Sequence, residues 1–191
     1  MSETIRCFIA IELSQEIRNV LSEIQSELKE TVGDVKWVRP ENIHLTLKFL
    51  GHINQGVVEE VKSALSEIAA KTRPFRIKLS SPGAFPAPER PRVIWVGIDK
   101  GDKESIVLAG AIEDRASHLG IEKEEREFHP HLTLGRIDFL KDKNTLKDAF
   151  SSLEIPPVEM TASAITLFQS TLTREGAIYT VLQKAVFNRE A

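Results

Sequence analysis

The sequence contains very little cysteine. Cys7 is the only cysteine among 191 residues, so the chain can form no internal disulfide and has no cysteine cluster that could hold zinc. The neighbours of Cys7 are apolar residues in a strand-like run, which indicates a small side chain buried in the core. We therefore expect a protein of a reducing compartment, the cytoplasm by default.

Long apolar runs and an excess of one charge are also missing. No apolar run approaches the ~18 residues that span a membrane, and the first residues lack the basic and apolar regions of a signal peptide. The formal net charge is −3 at pH 7, whereas a protein that coats nucleic acid usually has a broad basic surface. We expect no membrane association. A site for one or two phosphates is still compatible with this charge, because it needs only a few residues.

What the sequence does contain is typical of a folded globular protein. Apolar residues make up 41% and charged residues 28%, and the length suits one domain over residues 1–191. Gly51 is expected to end one strand, and the proline-rich segment 80–92 is expected to be a long loop, of the kind that serves as a flap. Apolar periodicity predicts strands over 5–12, 36–38, 44–50, 75–79, 92–98, 128–136, 158–171 and 178–187, the last two forming a hairpin, and helices over 14–32, 57–71, 104–119 and 143–150.

One short string occurs twice. His-Leu-Thr-Leu stands at 44–47 and again at 131–134, although the chain has only five histidines. Strand patterning explains the leucines but not the repeated histidines and threonines. Because side chains alternate along a strand, each copy projects its histidine and threonine from one face, roughly 7 Å apart along the backbone, and its leucines from the other. The repeat therefore predicts two imidazoles and two hydroxyls around one small volume.

This set of groups suits displacement at phosphorus. Two histidines that titrate near neutrality can act as one base and one acid, while threonine hydroxyls donate to the non-bridging phosphoryl oxygens. Arg136 follows Thr133 by three residues and could add a charge-assisted hydrogen bond. In a regular strand Arg136 would point away from the histidines, but Gly135 offers a place for a β-bulge that would turn it toward them.

Three further residues are weaker candidates for substrate contact. Lys48 shares the face of the first histidine by strict alternation, yet a solvated lysine explains it equally well. Phe49 could stack on a base, although a core position is the more ordinary explanation. Arg92 could contact an RNA backbone.

The repeated motif and its surroundings resemble the two-histidine (2H) phosphoesterase superfamily. Within it, the sequence is similar to the LigT-like RNA 2′,3′-cyclic phosphodiesterases, also called 2′-5′ RNA ligases. The resemblance follows the order of the chain through blocks at 6–11, 37–38, 42–51, 83–86, 91–95 and 130–136.

The resemblance implies an α+β fold of two pseudo-symmetric lobes, with two antiparallel sheets flanking a cleft, helices outside and one motif in each lobe. It implies hydrolysis of RNA 2′,3′-cyclic phosphate ends, or of a cyclic nucleotide, to 2′-phosphates, by a monomer without metal or cofactor. His44 would be the proton donor to the leaving O3′ and His131 the proton acceptor from water. Thr46, Thr133 and Arg136 would hold the phosphate.

Other functions remain compatible with the residues. The reverse reaction would join a cyclic end to a 5′-hydroxyl as a 2′-5′ RNA ligase. A protein that only binds phosphorylated RNA ends would need the same groups without turnover. His129 and His131 have the spacing of metal ligands on a strand, but no third ligand is evident from the sequence.

Overall fold

The computed structural model describes residues 3–87, 90–139, 143–174 and 176–191. It contains four α-helices in these ranges, α1 (Gln15–Thr31), α2 (Gln55–Ala70), α3 (Asp102–His118) and α4 (Lys143–Ser152), and a short 3₁₀ helix over Pro40–Asn42. The strands in the same ranges are β1 (Thr4–Glu12), β2 (Asp34–Trp37), β3 (His44–Asn54), β4 (Phe75–Phe85), β5 (Val93–Ile98), β6 (His131–Phe139), β7 (Glu159–Ala162), β8 (Ala164–Thr173) and β9 (Gly176–Val186).

The strands form antiparallel ladders in the order β7-β4-β5-β6-β3-β1-β8-β9, with β2 paired to β6. We call β3, β1, β8 and β9 the first half of the sheet and the other strands the second half. Within the described residues, β3 and β6 join the two halves through the single pair Leu45–Leu132. The sheet is therefore continuous but is narrowest where the two histidine motifs meet.

The helices cover one face of the sheet. α2 and α3 pack on the first half, while α1 reaches the second half, where Gln25 donates to carbonyl oxygens of Val38 and Leu134. Ser14 caps α1 by accepting a hydrogen bond from the Ile17 N–H, as its position before the apolar stripe predicts. The aliphatic core lies between the helices and this face, and it includes Cys7, which is 1% exposed.

The opposite face of the sheet, which we call the open face, carries a small apolar cluster of its own. Phe8, Ala10 and Phe168 form it, with Tyr179 packed against them. All four lie on the first half, on β1, β8 and β9. The two halves of the open face therefore differ in character.

The expected α+β class, antiparallel strands and outer helices are confirmed, but several boundaries are not. β3 passes through Gly51, which has a positive φ of 68°, and ends only at Asn54. Residues 80–85 are not a loop, because they continue β4, and residues 82–85 pair with β5; Pro88 and Glu89 lie outside the described residues. Residues 128–130 precede β6 rather than belonging to it. The predicted strand 158–171 is two strands, since β7 pairs with β4 and β8 with β1.

None of the helices in the described ranges is long and apolar enough to cross a membrane.

The junction between the halves generates a stability prediction. Leu132 is fully buried, so Leu132→Ala leaves a cavity and should lower the free energy of unfolding by about 2–5 kcal/mol in urea titration. Leu172→Ala is the control, because Leu172 is 68% exposed and should change stability by no more than about 0.5 kcal/mol. Equal effects of the two substitutions would contradict the burial assigned to the junction.

Candidate active site

The two histidine motifs lie on either side of the Leu45–Leu132 pair. Both leucines are buried in the core, so the flanking side chains of each motif project from the open face. Continuing this antiparallel register puts His44 level with Thr133, and His131 level with Thr46. The four polar side chains are thus related by an approximate two-fold axis, each histidine diagonal to the other.

Each histidine is oriented by the backbone two residues before it. The Nδ1 of His44 lies 2.7 Å from the carbonyl oxygen of Asn42, and the Nδ1 of His131 lies 2.6 Å from that of His129. A carbonyl oxygen can only accept, so each Nδ1 carries the proton and donates it. Each neutral imidazole therefore keeps its lone pair on Nε2, the nitrogen that can exchange a proton with substrate or water.

Aromatic rings fix the planes of both imidazoles. His44 stacks on Phe8 with a centroid distance of 4.7 Å, and Tyr179 meets it edge-on at 5.4 Å. His131 is edge-on to Phe85 at 4.9 Å and to Trp95 at 6.2 Å. These contacts hold the rings in place before substrate arrives.

Burial disfavours the protonated form of both imidazoles. Burial, helped by the positive charge of Arg18 and opposed by the hydrogen bond to Asn42, lowers the pKa of His44 from 6.5 to about 4. Burial is also the main cause that lowers the pKa of His131. Because the unfolded chain binds the His44 proton more readily, this group destabilises the fold progressively as the pH falls from 6.5 toward 4.

A β-bulge turns Arg136 to the face of the sheet that carries the histidines. Thr133 pairs with Trp95 but Gly135 pairs with Ile94, so Leu134 is an extra residue on β6. The side chain of Arg136 consequently emerges exposed on the open face, where its positive charge contributes to lowering the pKa of His131. The bulge lies next to Gly135, the residue at which the sequence allowed one.

Neighbouring groups hold this bulge in place. The carbonyl oxygen of Leu134 accepts hydrogen bonds from the Val38 N–H at 2.9 Å and from the Gln25 side chain at 2.8 Å. A Cβ at Gly135 would lie 2.6 Å from a methyl carbon of Val35, so β2 can approach only a glycine. Sequence analysis missed Gln25; the available signal was a glutamine on the buried stripe of α1.

A matching bulge on β3 corrects the expectation for Lys48. Thr46 pairs with Ala10 but Lys48 pairs with Ile9, so Leu47 is the extra residue. Lys48 therefore points into the helical side, where it is 6% exposed and its Nζ lies 2.9 Å from the Glu113 carboxylate. Its predicted place on the face of His44 is wrong, because alternation stops at a bulge.

Phe49 takes the place on β3 that Arg136 takes on β6. It is the third residue after the motif threonine, it follows the bulge, and it is 56% exposed. It lies on the open face, with its ring centroid 6.2 Å from that of Phe8. The two halves thus present an aromatic ring and a guanidinium at equivalent positions.

The remaining candidates stand apart from this arrangement. Arg92 is exposed, and its backbone bonds to Phe85 and Ile137, but among the described residues its side chain makes no hydrogen bond or ion pair. His129 is exposed, and the described residues contain no group of three His, Cys, Asp or Glu side chains that could hold a metal ion.

Comparison with known proteins identifies the family. The sequence model described as LigT like Phosphoesterase matches residues 11–95 and again 96–179, one histidine motif in each match. The chain belongs to the LigT-like phosphoesterase family.

Curated proteins and solved structures agree with this assignment. The chain is 36% identical to the RNA 2′,3′-cyclic phosphodiesterase of Aquifex aeolicus, covering 95% of this chain and 97% of that protein. It is 31% identical to the Escherichia coli protein of the same name, over 96% and 97%. The protein TT0787 of Thermus thermophilus superposes with a TM-score of 0.80 at 28% identity, over 97% and 98%. The structure of Escherichia coli LigT with 3′-AMP gives a TM-score of 0.76 at 27% identity, over 97% and 99%.

A titration tests the environment of His44 in this LigT-like phosphoesterase. By NMR in phosphate-free buffer, its imidazole should titrate at about pH 4. Inorganic phosphate should raise this midpoint, because a bound anion favours the imidazolium; the His44→Asn variant assigns the signal. A midpoint at 6.5 that phosphate leaves unchanged would contradict the assigned burial.

Gln25→Met tests the support of the Arg136 bulge. Methionine fills the same space but donates no hydrogen bond, so the half-buried Val38 carbonyl should lose this donor and stability should fall by roughly 1–3 kcal/mol. Inorganic phosphate should also bind more weakly by calorimetry, since Arg136 is held less firmly. Gln15→Met on the exposed face of the same helix is the matched control. Unchanged phosphate affinity in Gln25→Met would contradict the positioning role.

Proposed function

We propose that the protein hydrolyses the 2′,3′-cyclic phosphodiester at the 3′ end of RNA to a 2′-phosphomonoester, without a metal ion. The observation that carries this proposal is the matched pair of imidazoles, each with Nδ1 bonded to a backbone carbonyl and Nε2 left for chemistry. The names of the Aquifex and Escherichia coli relatives support the same substrate.

In the proposed reaction His131 acts as the base. Its Nε2 accepts a proton from water, and the water oxygen attacks phosphorus in line with the bond to O3′. As that bond breaks, His44 donates a proton from Nε2 to O3′, which becomes the free hydroxyl. The phosphate stays attached to O2′. One proton enters the protein and one leaves it, so the pair returns to its starting state when the histidines exchange a proton with solvent.

Thr46, Thr133 and Arg136 are the proposed phosphate ligands. The two hydroxyls lie beside the histidines on the open face and can donate to the non-bridging oxygens as negative charge shifts between them. The bulge on β6 gives the Arg136 guanidinium access to the same oxygens, with the geometry suited to phosphate.

The low pKa of His44 gives the phosphate a second role. A proton donor must be charged when the reaction begins, whereas burial favours the neutral ring in the empty site. The negative charge of a bound cyclic phosphate offsets that burial and raises the pKa of the imidazole. The substrate thus helps to protonate its own general acid, and an unoccupied site does not hold a buried positive charge.

Phe49 is the proposed contact for the nucleobase, because an exposed aromatic ring beside a phosphate site can stack on any base. We further propose that residues 1–191 act as one domain and as a cytoplasmic monomer. The joining reaction would use the same groups in reverse with an RNA 5′-hydroxyl, but water at ~55 M competes with that scarce group, so hydrolysis is favoured.

The test uses a short RNA that ends in a 2′,3′-cyclic phosphate, incubated in EDTA, with the position of the product phosphate mapped by enzymatic digestion. Wild type should form a 2′-phosphate. His44→Ala and His131→Ala should each lower kcat by about 10²–10⁴-fold, the usual contribution of a positioned acid or base.

His118→Ala is the control for loss of a histidine, because His118 is exposed at the end of α3; its activity should match wild type. Full activity in either motif variant, or activity that EDTA abolishes, would overturn the proposal. Joined RNA as the main product would favour the ligase reaction instead.

A further inference from the structure

The direction of the proposed reaction decides which half of the sheet faces the RNA chain. The leaving O3′ belongs to the terminal ribose, so the ribose lies on the side of its proton donor, His44. The attacking water must come from the opposite side, that of His131. If the proposed roles hold, the nucleoside therefore extends over the open face of the first half, where the apolar cluster of Phe8 lies.

Arg6 is the next residue beyond Phe8 on this face. Ile5 and Cys7 belong to the core under the helices, so alternation places Arg6 with Phe8 on the open face. One such step along a strand is roughly 7 Å. Phe8 stacks directly on His44. Arg6 therefore lies two residues along β1 from the ring that supports the proton donor.

Arg6 carries a positive charge that has no acidic partner within the described part of the chain. It is half-buried, and among the residues that the structure describes it makes no ion pair or hydrogen bond. Glu12 also faces this side, but on the far side of Phe8, and Lys184 holds its carboxylate at 2.8 Å. Arg6 is thus an unpaired cation on a face that the nucleoside is expected to cover.

Tyr179 connects Arg6 to the phosphate site. Its ring is edge-on to His44 and to Phe8. Burial raises the pKa of its phenol, while the charges of Arg6 and Arg136 act in the opposite direction. Tyr179 pairs with Ser170, and continuing the register of β1 with β8 puts Arg6 level with Ser170, so Arg6 and Tyr179 lie near one another on the first half.

We propose that Arg6, with the Tyr179 hydroxyl beside it, binds the phosphodiester on the 5′ side of the terminal nucleoside. That group is separated from the cyclic phosphate by a single ribose, which matches the short path from His44 across Phe8 to Arg6. The site is accordingly built for an RNA chain of two or more nucleotides, and a cyclic mononucleotide with a 5′-hydroxyl leaves Arg6 without its partner.

The experiment compares two substrates in wild type and Arg6→Gln: a dinucleotide that ends in a 2′,3′-cyclic phosphate, and 2′,3′-cyclic AMP. Arg6→Gln should lower kcat/KM for the dinucleotide about tenfold, as expected for one charge-assisted hydrogen bond, and change that for cyclic AMP less than twofold. The slope of log kcat/KM against log salt concentration should become shallower by about 0.7 for the dinucleotide alone.

Two controls isolate the contact. Arg73→Gln removes the same charge from a groove between α2 and α3 on the helical side and should leave both substrates unaffected. A dinucleotide with a neutral methylphosphonate linkage removes the charge from the other partner. Wild type should lose about tenfold on it, and Arg6→Gln should lose nothing further.

The outcomes separate this inference from the proposed hydrolysis. If wild type forms no 2′-phosphate from either substrate, the hydrolysis itself fails, and the inference falls with it. If wild type cleaves both but Arg6→Gln affects them equally, or neither, only the role of Arg6 is overturned. Retained dinucleotide preference in Arg6→Lys, which keeps the charge, would support it.

Discussion

The contact on which the rest of the structure depends is the buried pair Leu45–Leu132. It is the point at which β3 and β6 join two halves of the sheet, and its buried side chains oblige the histidines and threonines on either side to face the open side. A strand has two faces, so burying the leucines on one face places the histidine and threonine side chains on the other. The same apolar contact that closes the core therefore brings the two reactive motifs together.

Two bulges convert this near-symmetric frame into an asymmetric site. Each lies immediately after its motif, and each turns the third residue after the threonine out to the open face. On β6 that residue is Arg136, and on β3 it is Phe49. The second half thus offers a charge suited to phosphate, and the first half offers a ring suited to a base. The backbone has the same bulge at the same place in both halves.

Electrostatics and burial act together at this site. The imidazoles are packed against aromatic rings and lose affinity for protons, while Arg136 and Arg6 supply positive charge on the same face. An anion bound among these groups offsets the positive charge of the arginines. It also raises the proton affinity of His44, the histidine that must donate. The local charges accordingly favour a negatively charged ligand at this site, although the net charge of the whole chain is −3.

The sequence by itself determined the chemistry of the motifs and their common face, because alternation along a strand is local and the repeat at 44–47 and 131–134 is visible without coordinates. It also located the bulge at Gly135. Tertiary structure alone decided that Lys48 turns inward to Glu113, that Gln25 supports the bulge from α1, and that Arg6 lies beyond Phe8 with no ion pair to any described residue. These depend on partners distant along the chain, and no local periodicity carries that information.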